Sequence, residues 1–154
     1  MIRIMFVCHG NICRSPMAEF VFRHMVEEKS ISDKFYIASS ATSREEIGNS
    51  VHKGTKNKLS EVGISCKGKT AVQLTKKDYD MYDYIICMES YNIKNVLRIV
   101  GDDNEGKIYR LLDFSTSTRD IADPWYTGDF EETYKDITEG CTSLLNYILR
   151  NDVL

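Results

Sequence analysis

Cys8 and Arg14 stand with five residues between them near the start of the chain, and Asp123 stands far downstream against a proline. A thiolate is a nucleophile, a guanidinium is a two-pronged clamp for an oxyanion, and a carboxyl group can hand a proton to a leaving oxygen. Together the three point to displacement at phosphorus through a covalent intermediate. The segment reads Cys8-His9-Gly10-Asn11-Ile12-Cys13-Arg14-Ser15-Pro16. Five intervening residues let the loop curl, turning its amides inward and returning Arg14 beside Cys8. Asn11 tolerates left-handed backbone and can brace the curl. Ser15 has two compatible roles: capping the helix that follows, and donating to the Cys8 thiolate, which assists its expulsion when a phosphoenzyme breaks down. An aryl or alkyl oxyanion leaves poorly without a proton, and Asp123 is the candidate donor. Pro124 stiffens its turn, and Trp125-Tyr126 puts two aromatics beside it.

The elements around the loop must make such a site. Ile2 to Val7 is apolar except for Arg3, as expected of a strand buried on both faces. From Pro16 the period changes: Ala18, Val21, Phe22, Met25 and Val26 repeat at helical spacing, with Ser15 expected as N-cap and Pro16 as the first helical residue. A loop between a strand and a helix N-terminus collects unpaired amides and the positive end of a helix dipole, which is where a phosphate dianion binds. The same field favours the thiolate of Cys8.

Further on, Phe35 to Ala38 predicts a second strand, opening into the polar stretch Ser39 to Glu46. Val51, Thr55, Leu59 and Val62 mark a helix face closed by Gly63, weakened by Gly54 at about 1 kcal/mol. Tyr84 to Met88 is a third strand. Ile93, Val96, Leu97 and Val100 form a helix face ended by Gly101, and Ile108 to Leu112 is a fourth strand. After a long loop comes the clearest helix, with Asp129 and Glu132 as a capping pair and Phe130, Tyr134, Ile137, Cys141, Leu144, Leu145 and Ile148 on one face. Strands alternating with helices imply right-handed crossovers and a parallel sheet covered on both sides, an α/β three-layer sandwich. The loop at Cys8 then lies beyond the carboxyl ends of the strands, where such sheets bind ligands.

At 154 residues the chain predicts one domain over 1–154 with one sizeable core. Hydrophobic residues at 42%, charged ones at 28% and a formal net charge of -3 lend nucleic-acid binding no support. No stretch approaches membrane-span length, and five cysteines without framework spacing suit a reducing, cytoplasmic setting. No metal constellation is expected: Cys8 and Cys13 are wrongly spaced for zinc, and His9, His24 and His52 are scattered. His9 and His52 read as polar surface residues. Cys13 could close a reversible disulfide onto Cys8, shielding the nucleophile from overoxidation, or simply pack under the loop. Cys66, Cys87 and Cys141 look structural.

These residues resemble the low-molecular-weight protein tyrosine phosphatases, whose pattern is Cys, five residues, Arg, then Ser or Thr, with Gly-Asn inside the loop. Cys8, Gly10, Asn11, Cys13, Arg14, Ser15 and Pro16 match, and Asp123-Pro124-Trp125-Tyr126 fits the family's distant Asp-Pro loop. The resemblance implies strand order 2-1-3-4 and Asp123 acting first as general acid, then as base. It also implies a monomer without cofactor, a phosphate or other oxyanion held by residues 9–15, and Trp125 and Tyr126 bordering the cleft. The expected partners are phosphotyrosine proteins, with neither nucleic acid nor membrane. A Trp wall that the family often places in the second loop is missing; Glu45 or a neighbour stands there.

Three competitors follow. Arsenate reductases of this fold need a further cysteine pair near the third strand, and here Cys87 is accompanied by Lys94. Protein-arginine phosphatases tend to carry Thr where this chain has Ile12, so Ile12 favours tyrosine. Gly63 to Thr70 satisfies the G-x-x-x-x-G-K-[ST] pattern of a nucleotide-binding loop, but such a loop leaves a strand and enters a helix, whereas the residues before Gly63 read as helix.

Overall fold

In a computed structural model of the chain, which describes every residue except Val153, four parallel strands form one sheet. They are β1 (Ile2–Cys8), β2 (Phe35–Ala41), β3 (Tyr84–Cys87) and β4 (Ile108–Arg110), in the expected order β2-β1-β3-β4. The helices are α1 (Arg14–Glu28), α2 (Lys53–Glu61), α3 (Asp78–Met81), α4 (Ser90–Val100), α5 (Pro124–Thr127) and α6 (Phe130–Asn151).

Alternation along β1 explains the three layers. Ile4, Phe6 and Cys8 join the core made with Met17, Phe22, Ile137 and Leu144, so that face lies under α1 and α6. Met5 and Val7 join Ile85, Cys87, Val96 and Val100 on the face covered by α4. Successive strand residues point to opposite faces, so a strand covered on both must be apolar throughout. As the central strand with β3 on its other side, β1 delivers Cys8 to the switch point where neighbouring crossovers diverge.

Four expectations change. α1 begins at Arg14 with Cys13 in the cap position and no side-chain cap, so Ser15 is inside the first turn and Pro16 follows it. β2 does not stop at Ala38 but runs to Ala41, pairing Ser39 with Phe6 and Cys8 with Ala41. Its polar end is buried because the serines serve the loop at Cys8. β4 is three residues long, and Leu111–Phe114 turn into a 3-10 segment that carries Leu111 and Leu112 into the core. Gly54 is a close approach rather than a mere weak point: a Cβ there would lie 2.3 Å from the Phe130 ring.

Gly63 ends α2 with φ of +77°, as a left-handed cap, and the chain then passes through turns to an isolated bridge between Thr70 and Ser50. With no strand before it and no helix after it, Gly63 to Thr70 lacks the frame of a nucleotide-binding loop.

Candidate active site

Asn11 sets the shape of the loop. Its φ of +58° turns the backbone, and its side chain, 1% exposed, is satisfied at three points. Nδ2 donates to Ser15 Oγ at 2.7 Å and to Ser39 Oγ at 2.9 Å, while Oδ1 accepts from the Val72 amide at 3.1 Å. Ser39 Oγ donates in turn to the buried Glu19 carboxylate at 2.6 Å, and Glu19 pairs with Arg23 at 2.7 Å. A continuous polar chain thus runs from Glu19 through Ser39, Asn11 and Ser15 to Cys8. Fully satisfied networks of this kind rigidify what they touch.

Three groups converge on the Cys8 sulfur. Ser15 Oγ lies at 3.0 Å, the Asn11 amide at 3.3 Å and the Ser15 amide at 3.4 Å. Ser15, released from capping, spends its hydroxyl on the sulfur. Among the described residues, the amides of Gly10, Ile12, Cys13 and Arg14 donate to no protein acceptor, so they are free for an anion.

Arg14 is 2% exposed and its fork is pinned from behind. Nη1 donates to the Glu89 carboxylate and, at 2.9 Å, to the Ile121 carbonyl, and Nη2 lies 3.3 Å from Asp123 Oδ2. Burial works against its charge, but Cys8, Asp123 and Glu89 outweigh burial and raise its pKa. Glu89 is positioned by the end of β3: Asn92 Oδ1 accepts from the Met88 and Glu89 amides, both at 3.1 Å, at the start of α4.

Asp123 caps α5, its Oδ1 accepting from the Trp125 amide at 3.0 Å, and Pro124 supplies the first helical residue. Trp125 and Tyr126 are 57% and 84% exposed at the rim. His52 links this loop to the rest: its amide donates to the Ile12 carbonyl at 2.8 Å, its Nδ1 caps α2 by accepting from the Gly54 amide at 2.9 Å, and its ring stacks on Phe130 and meets Trp125 edge-on.

One cavity of about 290 Å³ gathers Cys8, His9, Gly10, Ile12, Cys13, Arg14, Asp123, Trp125 and Tyr126. Asn11 and Ser15 do not line it; they lie beneath the loop and support it. Glu45 and Glu46 form the remaining wall, with Glu45 paired to His9 Nε2, so carboxylates and not an aromatic ring line this part of the cavity. Cys13 faces the same cavity as a thiol whose pKa is pushed up to about 12, first by burial and then by the charges of Cys8 and Asp123. Residues 75 and 107 positions from Arg14, Glu89 and Ile121 carried no sequence signal. His52 looked like a surface residue because its partners come from three separate segments.

A family model described as low molecular weight phosphotyrosine protein phosphatase matches residues 3–153. The chain belongs to that family. Among its curated relatives, low molecular weight protein-tyrosine-phosphatase YfkJ of Bacillus subtilis is 42% identical over 156 aligned positions covering all of both chains. PtpA of Staphylococcus saprophyticus is 38% identical over 98% of this chain and 96% of its own. The crystal structure of YfkJ superposes on this phosphatase-family fold with a TM-score of 0.95, covering 99% of this chain and 98% of that one. That of SP-PTP, the low molecular weight protein tyrosine phosphatase of Streptococcus pyogenes, does so with 0.85 at 40% identity, over 99% and 95%.

Proposed function

We propose that the protein is a tyrosine phosphatase working through a cysteinyl-phosphate intermediate on Cys8. The observation that carries this is the Cys8 sulfur inside a ring of free amides, with the fork of Arg14 fixed beside it and Asp123 in contact with that fork. Phosphate seated in the loop offers its equatorial oxygens to the amides of Gly10, Ile12, Cys13 and Arg14 and to the guanidinium, which also stabilises the charge of the transition state. Sγ forms a bond to phosphorus as the bond to the phenolic oxygen breaks, and that oxygen takes its proton from Asp123. The Asp123 carboxylate then removes a proton from water, which attacks phosphorus, and Cys8 leaves as a thiolate accepting from Ser15 Oγ.

Trp125 and Tyr126 give an aromatic substrate a surface to lie against at the rim. Ile12, an apolar residue in the cavity wall, suits a phenyl ring better than a guanidinium. Among the described residues no helix is long and apolar enough to cross a membrane. We place the enzyme in the cytoplasm on its composition and five free cysteines, acting as a monomer whose own residues line the cavity.

The test is Cys8→Ser assayed on phosphotyrosine, phosphoarginine and arsenate beside the parent enzyme. Turnover of phosphotyrosine should exceed the other two in the parent and vanish in the variant, while vanadate binding persists because the amide ring and Arg14 remain. Turnover near the parental rate in Cys8→Ser would overturn the mechanism. Preference for phosphoarginine or arsenate would overturn the substrate.

A further inference from the structure

Catalysis leaves unused a second, larger cleft, of about 1050 Å³, between α2 and the chain from Gly63 to Lys69. Lys53, Lys56, Lys67 and Lys69 line it, together with serine and asparagine side chains and no carboxylate. Val51 to Lys77 holds seven lysines and a single acid, Glu61, in a chain whose net charge is -3. The ion pairs of this region fall on Lys58, with Glu61 and Glu131, and on Lys69, with Glu19. Lys53, Lys56 and Lys67 are exposed and make none among the described residues.

The cleft adjoins the catalytic mouth through His52. Val51 and Lys53, its chain neighbours, line the cleft, while its own amide and ring hold Ile12 and Trp125 of the catalytic cavity. The wall of the catalytic cavity itself carries Glu45 and Glu46. A substrate with carboxylates flanking its phosphotyrosine is therefore repelled at that wall and attracted at the lysine cleft.

The lining also selects the kind of anion. No aromatic ring faces the cleft to stack a nucleobase, and the three unpaired lysines stand on solvated, flexible stems rather than converging on one buried point. Lys53 and Lys56, at i and i+3, share a face of α2. They lie about 4.5 Å apart along the axis at about 1.5 Å per residue, and Lys67 stands on the other wall, so the separated charges match carboxylates spaced along an extended peptide.

We propose that this cleft docks an acidic segment of the phosphotyrosine protein substrate, running past His52 and along α2 while the phosphotyrosine sits over Cys8. The proposal rests on the tyrosine phosphatase function given above. Exposed pairs of this kind act through encounter rate and screen with salt.

The test compares kcat/KM for phosphotyrosine peptides carrying a run of glutamates, placed before or after the phosphotyrosine, with glutamine counterparts at low and high salt. The enzymes are the parent, the triple variant Lys53→Gln, Lys56→Gln, Lys67→Gln, and the charge-retaining triple Lys→Arg variant at the same sites. Lys69 stays untouched because its Nζ donates to the Ser39 carbonyl behind the catalytic loop at 2.9 Å. In the parent, at least one glutamate peptide should be favoured by about tenfold at low salt, the size expected of three exposed ion pairs. That advantage should vanish at high salt and in the Gln variant and survive in the Arg variant, with hydrolysis of a small aryl phosphate equal in all three. Equal rates for glutamate and glutamine peptides in the parent, or an advantage that persists in the Gln variant, overturn the proposal. So does tight calorimetric binding of tripolyphosphate to the parent without any peptide preference, which makes the cleft a small-anion site. A parent enzyme inert towards the aryl phosphate overturns the phosphatase function itself, and the docking proposal with it.

Discussion

Asp123 Oδ2 lies 3.3 Å from Arg14 Nη2, joining across 109 residues the proposed proton donor to the proposed phosphate clamp. Arg14 cannot shift without moving the field at Asp123, and α5 cannot swing away without breaking this contact.

Asp123→Asn keeps the shape and removes the proton. Single-turnover formation of the phosphoenzyme from phosphotyrosine should slow by about 10² to 10⁴, the range for general-acid catalysis. The loss should be much smaller with an aryl phosphate whose phenolate departs unaided. Equal losses with both would assign Asp123 to holding the loop and the chemistry to another acid, such as Asp120 or Asp129.

Glu89 touches no reacting atom; it holds the Arg14 fork. Glu89→Gln keeps a hydrogen-bond acceptor but removes the countercharge, and kcat/KM on phosphotyrosine should fall by roughly tenfold to a hundredfold, the scale of a charge-assisted hydrogen bond. Phosphate inhibition should weaken in parallel, since both use the same guanidinium. An unchanged inhibition constant beside a reduced kcat would show that Glu89 acts elsewhere.

Gly54→Ala places a methyl group 2.3 Å from the Phe130 ring. Overpacking of this kind costs about 1 to 3 kcal/mol, to be read from denaturant unfolding. Phe130→Leu should cost less in the Gly54→Ala background than alone, a coupling that a double-mutant cycle measures. The displaced ring also carries His52 and Trp125 with it, so KM for a phosphotyrosine peptide should rise while KM for free phosphate ester changes little.

Cys13 makes stability fall in alkali. Its thiol keeps its proton up to about pH 12 in the folded chain, against an ordinary value of 9.0. Between those limits the unfolded chain holds fewer protons, so the slope is negative: stability is full below about pH 9 and is lost as pH rises towards 12, by up to about 1.4 kcal/mol per pH unit for each such thiol. Burial raises Cys87 and Cys141 in the same direction. Denaturant midpoints measured against pH should show the decline, and Cys13→Ala should make it shallower by its own share. Mild peroxide should also join Cys13 to Cys8, since oxidation of Cys8 removes one of the charges that hold the Cys13 proton. Mass mapping that finds Cys8 as sulfinic acid equally fast in the parent and in Cys13→Ala would refute the shielding role.

What the sequence disclosed about the site was local in character. Cys8 to Pro16 announces a strand, an anion loop and a helix within one short stretch, and Asp123-Pro124 is legible because proline fixes its geometry wherever it occurs. The parallel sheet followed from alternation of elements, and its order 2-1-3-4 from the family resemblance alone. What escaped was every contribution whose meaning depends on a partner far along the chain. Ser39 and Ser40 read as loop because polar residues seldom end a buried strand, yet Ser39 is there to receive Asn11. Gly54 read as a helix defect because nothing local shows Phe130 arriving from α6. Of the two roles read for Ser15, the bond to the Cys8 sulfur stands and the helix cap does not, because α1 already begins at Arg14.

The three anchors of Asn11 come from Ser15, Ser39 and Val72, and they have a bearing on how activity is acquired during folding. Ser15 is four positions away, but Ser39 and Val72 are 28 and 61 positions on, and the Arg14 fork awaits Ile121. Contacts of such separation form late, because loop closure must precede them. A chain released from denaturant, or still emerging from synthesis, therefore has its nucleophile early and its phosphate cradle last. Regain of phosphatase activity should trail the return of helical circular dichroism, and an incomplete chain should have little affinity for phosphate esters.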